Sequence, residues 1–120
     1  MQLLILSRVN YMDNYFEGYY FKLTNNKETL CFIVGYTLGE DAHSFIQVFG
    51  SNLIKMYYFR YEILMCTMMR KPLYIRIKNN IFTRNKIQID LENDEIIIKG
   101  FASFSKQAEL IKSWYTLKVP

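Results

Sequence analysis

Apolar and polar positions alternate most cleanly late in the chain. In residues 73–78, Leu73, Ile75 and Ile77 point one way, and Tyr74, Arg76 and Lys78 the other. In residues 86–91, Ile87, Ile89 and Leu91 oppose Lys86, Gln88 and Asp90. The run "EIIIKGF" at 95–101 follows an "END" turn, which predicts a hairpin of half-buried antiparallel strands. Four earlier segments, 15–23, 29–37, 43–49 and 54–61, are apolar or aromatic on both faces. In 43–49, His43, Phe45, Gln47 and Phe49 share one face, and Ser44, Ile46 and Val48 the other. A strand coated on both sides implies a core against one face and a covered or ligand-facing surface on the other.

Turn-forming clusters at 24–28, 38–42, 50–52, 78–80 and 92–94 separate these runs. The helical spacing of Ala108, Ile111 and Trp114 predicts one short helix over 105–114, while 65–70 fits neither period. The pattern predicts an all-β fold: an antiparallel meander of about seven to nine short strands in a sandwich or barrel. A chain of 120 residues without repeats or linkers forms a single domain, 1–120.

Composition agrees. An aromatic share of 17% supplies residues that strands favour, and a charged share of 22% is not that of a disordered chain. The formal net charge of +4 gives weak attraction to anionic surfaces. The cations are dispersed without a basic run, so nucleic acid is not an expected partner. Cys31 and Cys66 have no metal-ligand spacing and suit a reducing, cytoplasmic setting. The opening "LLIL" is too short for a signal peptide or a transmembrane segment.

Polar residues embedded in aromatic strands are the candidate chemistry. Glu17 shares a strand face with Tyr15, Tyr19 and Phe21, and Lys22 lies on the opposite face. Burial of Glu17 would raise its pKa and suit it to proton transfer; the commoner outcome is a structural pair with a neighbouring cation such as Arg60. His43, the only histidine, follows the acidic turn "GEDA". Glu40 or Asp41 could orient it as a general acid or base, against the simpler role of a turn-bound strand opener. A lone histidine gives no zinc site. Gln47 and Arg60 could line a pocket or face solvent. No phosphate loop, nucleophile elbow or dinucleotide fingerprint is present, and no cofactor is expected.

"YFEGYYFK" at 15–22, "DAHSFIQVF" at 41–49, "YYFRY" at 57–61 and "NNIFT" at 79–83 together resemble the tocopherol cyclase-like family. Phe16, Glu17, Gly18, Tyr20, Phe21 and Lys22 match its F-E-G-W-Y-F-K opening, with Tyr19 in place of Trp. Asp41, His43, Phe45, Ile46 and Gln47 match its D-x-H-x-F-I-Q run. The resemblance implies a lipocalin-like β-barrel or half-barrel, and an apolar or prenylated small molecule as ligand. It implies no redox cofactor, and pocket roles for Glu17, Tyr19, His43, Gln47 and Arg60. Members are usually more than twice this length, with further motifs in a second half that nothing here matches. The chain thus resembles the N-terminal half: incomplete for cyclisation alone, and completed by that half or by another copy of itself. The alternative is a non-catalytic structural or self-association module.

Overall fold

In the computed structural model, residues 2–11, 14–24, 27–103 and 115–117 are described. Two antiparallel meanders follow one another in sequence order. The first sheet contains β1 (Gln2–Tyr11), β2 (Asn14–Thr24), β3 (Thr29–Leu38), β4 (His43–Gly50) and β5 (Tyr57–Tyr61). The second contains β6 (Cys66–Arg70), β7 (Leu73–Ile77), β8 (Asn80–Thr83), β9 (Lys86–Glu92), β10 (Ile96–Ser103) and β11 (Tyr115–Leu117). Every strand pairs with its sequence neighbour within its own sheet.

The all-β, antiparallel expectation holds, but the sheets do not close into a barrel. Closure requires uninterrupted pairing from strand to strand around the ring. Here the chain leaves β5 through a 3-10 turn, Ile63–Met65, and re-enters in the other sheet. Met65 N–H donates to the Glu62 carbonyl, and the Ser44 hydroxyl donates to the same oxygen, fixing the crossover. The ambiguous segment 65–70 is therefore mostly strand, at the free edge of the second sheet. The opening apolar stretch, read only as too short to span a membrane, belongs to β1. The expected helix at 105–114 lies outside the described residues.

Alternation in each strand sends one row of side chains into the space between the sheets. From the first sheet these include Phe21, Phe32, Ile46 and Val48; from the second, Ile75, Phe82, Ile87 and Ile98, all without solvent exposure. Phe82 joins the layers, its ring centroid 5.1 Å from that of Phe21 and 5.6 Å from that of Phe32. The tight β7–β8 connection places Lys78 at φ 55°. Buried Asn80 locks it, donating to the Ile77 carbonyl and accepting from the Asp90 N–H.

The outward face of the first sheet is also apolar. Phe16 stacks on Phe45 at 5.6 Å, and Phe45 on Tyr58 at 5.7 Å. Phe45 retains 2% exposure although it points away from the second sheet. The two-sided coating read in the sequence thus corresponds to a core on one face and an aromatic ladder on the other.

Candidate functional site

In the segment "YFEGYYFK", odd positions from Tyr15 to Phe21 face the second sheet and even positions face away. Glu17 is thereby driven inward, with no solvent exposure. A carboxylate there must be hydrogen-bonded or it destabilises the fold by several kcal/mol. Three phenols and a guanidinium meet it. Tyr15 donates to Oε1 at 2.9 Å, Tyr19 to Oε2 at 2.5 Å, and Tyr36, directly opposite on β3, to Oε1 at 3.2 Å. Arg70, at the end of β6 in the other sheet, donates through Nε to Oε2 at 3.0 Å and through Nη2 to Oε1 at 2.5 Å. The fork-on-fork geometry is that of a strong charge-assisted pair.

Burial pushes the Glu17 carboxyl up, but hydrogen bonds from Arg70, Tyr19 and Tyr15 outweigh it and hold the group at about 2. Glu17 is therefore ionised at neutral pH and cannot serve as a proton donor. This corrects the expectation that burial would raise its pKa. Burial and the Glu17 charge push Tyr36 up to about 12 and the Cys66 thiol up to about 11. Both remain protonated at neutral pH; the Tyr36 proton goes to Glu17, and its oxygen accepts from Arg70 Nη2.

Tyr36 and Arg70 also line an open cleft of about 250 Å³ between β3 and β6, together with Leu38, Ile63, Cys66 and Met68. Its wall is apolar except for the Tyr36 hydroxyl, the Cys66 thiol and the guanidinium of Arg70, whose side chain is 45% exposed. Cys31 and Cys66 are both free thiols.

The other candidates occupy the opposite face. His43, Gln47 and Arg60 project away from the second sheet, whereas Glu17 and Tyr19 project toward it. The structure therefore gives two groups of candidates and not one shared pocket. His43 Nδ1 lies 2.7 Å from the Asp41 carbonyl oxygen, which can only accept, so Nδ1 carries the proton of the neutral ring. Nε2 then accepts from the Tyr58 hydroxyl at 2.6 Å. The main chain of Asp41 orients the imidazole, because its carboxylate pairs with Arg60. Arg60 is thus not the partner of Glu17. The hydrogen bond from Arg60 lowers the Asp41 pKa.

Tyr15, Tyr36, Arg70 and the cleft residues were missed as site residues. Parity places Tyr15 beside Glu17, but nothing local marks Tyr36 or Arg70, which arrive by register and by packing of the second sheet. Among the described residues, no cluster of His, Cys, Asp or Glu is suited to hold a metal ion, and no helix is long and apolar enough to cross a membrane. Protein-family models, curated proteins and solved structures were each searched, and none matches this chain.

The depressed Glu17 pKa fixes the sign of an acid effect. A carboxylate with a folded pKa below its ordinary value contributes stability that is full above that value, 4.5, and is lost as pH falls through about 2. Discounting the shift because Arg70 is half in water, the expected loss is on the order of 2 kcal/mol. Urea midpoints measured from pH 6 to pH 2 should therefore fall most steeply below pH 4.5. Glu17→Gln should flatten that part of the curve. An unchanged slope in Glu17→Gln would assign the acid sensitivity elsewhere.

Proposed function

We propose that the chain is a tocopherol cyclase-like β domain that binds an apolar or prenylated ring compound in the cleft between the sheets, without catalysing its cyclisation alone. The observation that carries this reading is an open cleft of about 250 Å³ whose wall joins three aliphatic side chains to a phenol oxygen, a thiol and a guanidinium. That combination suits a ligand with an apolar body and a few oxygen atoms to fix its orientation. Arg70 would donate to a ring oxygen, the Tyr36 oxygen would accept from a ring hydroxyl, and Leu38, Ile63 and Met68 would contact the hydrocarbon part. Proton-driven ring closure needs an acid able to give up its proton in a dry cavity. Glu17 holds none at neutral pH, and the Tyr36 and Cys66 groups bind theirs tightly. The resemblance of residues 15–22 and 41–49 to family motifs supplies the ligand class.

The test is titration of the purified chain with a geranylated methylhydroquinone, followed by calorimetry and by product analysis. Saturable binding is expected, weakened about tenfold by Tyr36→Phe or Met68→Asp and unchanged by Phe101→Ser on the far outer face. No chroman product should form. Absence of saturable binding, or equal binding by the cleft variants, would reject the ligand reading. Appearance of chroman would reject the non-catalytic part.

The free edges of β5 and β6 favour a second reading, self-association through those strands. A monomeric mass by light scattering over a wide concentration range would remove it.

A further inference from the structure

The hairpin that frames the cleft carries a second feature, on its outside. Leu64, in the crossover turn, is 91% exposed; Met65 beside it is 42% exposed, and Met69 on the outer face of β6 is 51% exposed. Side chains of this kind in water mark a contact surface when they lie together. Cations stand at both ends of the hairpin, and one exposed carboxylate, Glu62, precedes the turn. Arg76 stands opposite Thr67 on the same outer face as Met69, and Lys71 opens the turn after Arg70. Lys78 donates its N–H to the Met65 carbonyl, and Arg76 Nε donates to the Lys78 carbonyl. Lys71, Arg76 and Lys78 are exposed. No Asp or Glu occurs from residue 63 to residue 89, a span that also holds Arg84 and Lys86. The chain has no basic run, but it has a long stretch without acids, which β6–β8 fold into one edge of the second sheet, bordered by Glu62 and Asp90.

We propose that the β6–β7 hairpin, with the Leu64–Met65 turn, docks on the surface of an anionic lipid bilayer. Aliphatic side chains enter the boundary between headgroups and acyl chains, while the flanking cations meet lipid phosphates. The chemistry selects this occupant over two others. Single-stranded nucleic acid is gripped by stacking on aromatic faces, whereas the most exposed side chains here are Leu and Met. A second copy docked on the same surface would set Arg76 and Lys78 against their own equivalents, since a two-fold contact pairs a patch with itself. The surface is separate from the cleft wall, although Ile63 and Leu64 are neighbours, so a bound bilayer would lie at the cleft mouth.

The experiment is co-sedimentation of the full chain with vesicles of phosphatidylcholine, pure or mixed with phosphatidylglycerol. Binding is expected only to the mixed vesicles, and it should weaken as salt is raised. Leu64→Asp should lower the partition coefficient by about tenfold, and Lys71→Glu with Lys78→Glu by more. Each variant should keep the parent's thermal midpoint and its affinity for the geranylated quinol, which separates a failed docking surface from a failed cleft. Phe101→Asp, distant on the same sheet, should bind vesicles as the parent does. Equal binding to both vesicle types, no binding to either, or full binding by the charge-reversed variant would each overturn the proposal. So would tighter binding to a single-stranded oligonucleotide, or a dimer that Leu64→Asp dissociates.

Discussion

Arg70→Ala should destabilise the fold by about 3 kcal/mol at neutral pH, the low end of the range for stripping one partner from a buried ion pair. Arg70 gives Glu17 two of its hydrogen bonds and a compensating charge across the sheet interface. Without it, the carboxylate remains among three phenols on a face that excludes solvent. The low end applies because Arg70 itself is half exposed, so water can follow into the space it vacates. The pH dependence should also weaken. In the parent, lowering the pH toward 2 removes stability, because Glu17 must be protonated against its partners. With Arg70 gone, burial opposes a weaker set of donors and the folded-state pKa should rise from about 2. Acidification toward pH 2 should then lower the urea midpoint of Arg70→Ala by less than that of the parent. Adding Glu17→Gln should restore most of the lost stability, since a neutral amide can still meet the phenols. Urea titrations of the parent, Arg70→Ala, Glu17→Gln and the double variant between pH 7 and pH 2 check this. A loss that Glu17→Gln does not repair would place the role of Arg70 elsewhere.

The contrast between Glu17 and Arg70 shows how far the sequence could be read. Period-two parity correctly assigned Glu17 to one face and Lys22 to the other, and divided 43–49 into the His43 and Ser44 rows. Those are local properties, set by the pleat. Whether a face meets a second sheet, a barrel interior or solvent depends on where the chain turns between sheets. Residues 62–65 gave no sign of a crossover in place of a hairpin. Arg70 ends "MCTMMR", where apolar residues follow one another without alternation, so neither its strand nor its face was visible. Its partner lies 53 positions earlier. The separation of Glu17 from His43 has the same origin. Both are polar residues in aromatic strands, but relating the parity of β2 to that of β4 requires the register of β3. Once Glu17 pairs with Tyr36, and Tyr36 with Ser44, the row containing His43 must face the other way.

The glycines of the first sheet give the largest expected effect. Gly18 and Gly35 are cross-strand partners in β2 and β3. A Cβ on Gly18 would meet the Phe16 ring, with Cζ at 3.0 Å and Cε1 at 3.2 Å. That ring is the far end of a rotatable side chain lying over the glycine, so Gly18→Ala should cost about 1 kcal/mol, as Phe16 shifts on Phe45. A Cβ on Gly35 would fall 1.9 Å from the Glu17 carbonyl oxygen and 2.8 Å from the Gly18 Cα. Those are backbone atoms of the neighbouring strand and cannot rotate aside. Relief requires β2 and β3 to separate where Tyr36 meets Glu17, which would pull apart both the ladder and the carboxylate site. Gly35→Ala should therefore cost more than about 4 kcal/mol, a large part of the stability of a domain of this size. The glycine after Glu17 thus makes room for an aromatic ring on one face, and the glycine opposite lets two backbones approach. Circular dichroism and urea unfolding of the two variants separate these roles. Gly18→Ala should keep the β spectrum with a modestly lower midpoint, and Gly35→Ala should lose the cooperative transition. Similar midpoints for the two would mean that the strands can part at Gly35 without cost, and the close approach would then have no part in holding Glu17 in place.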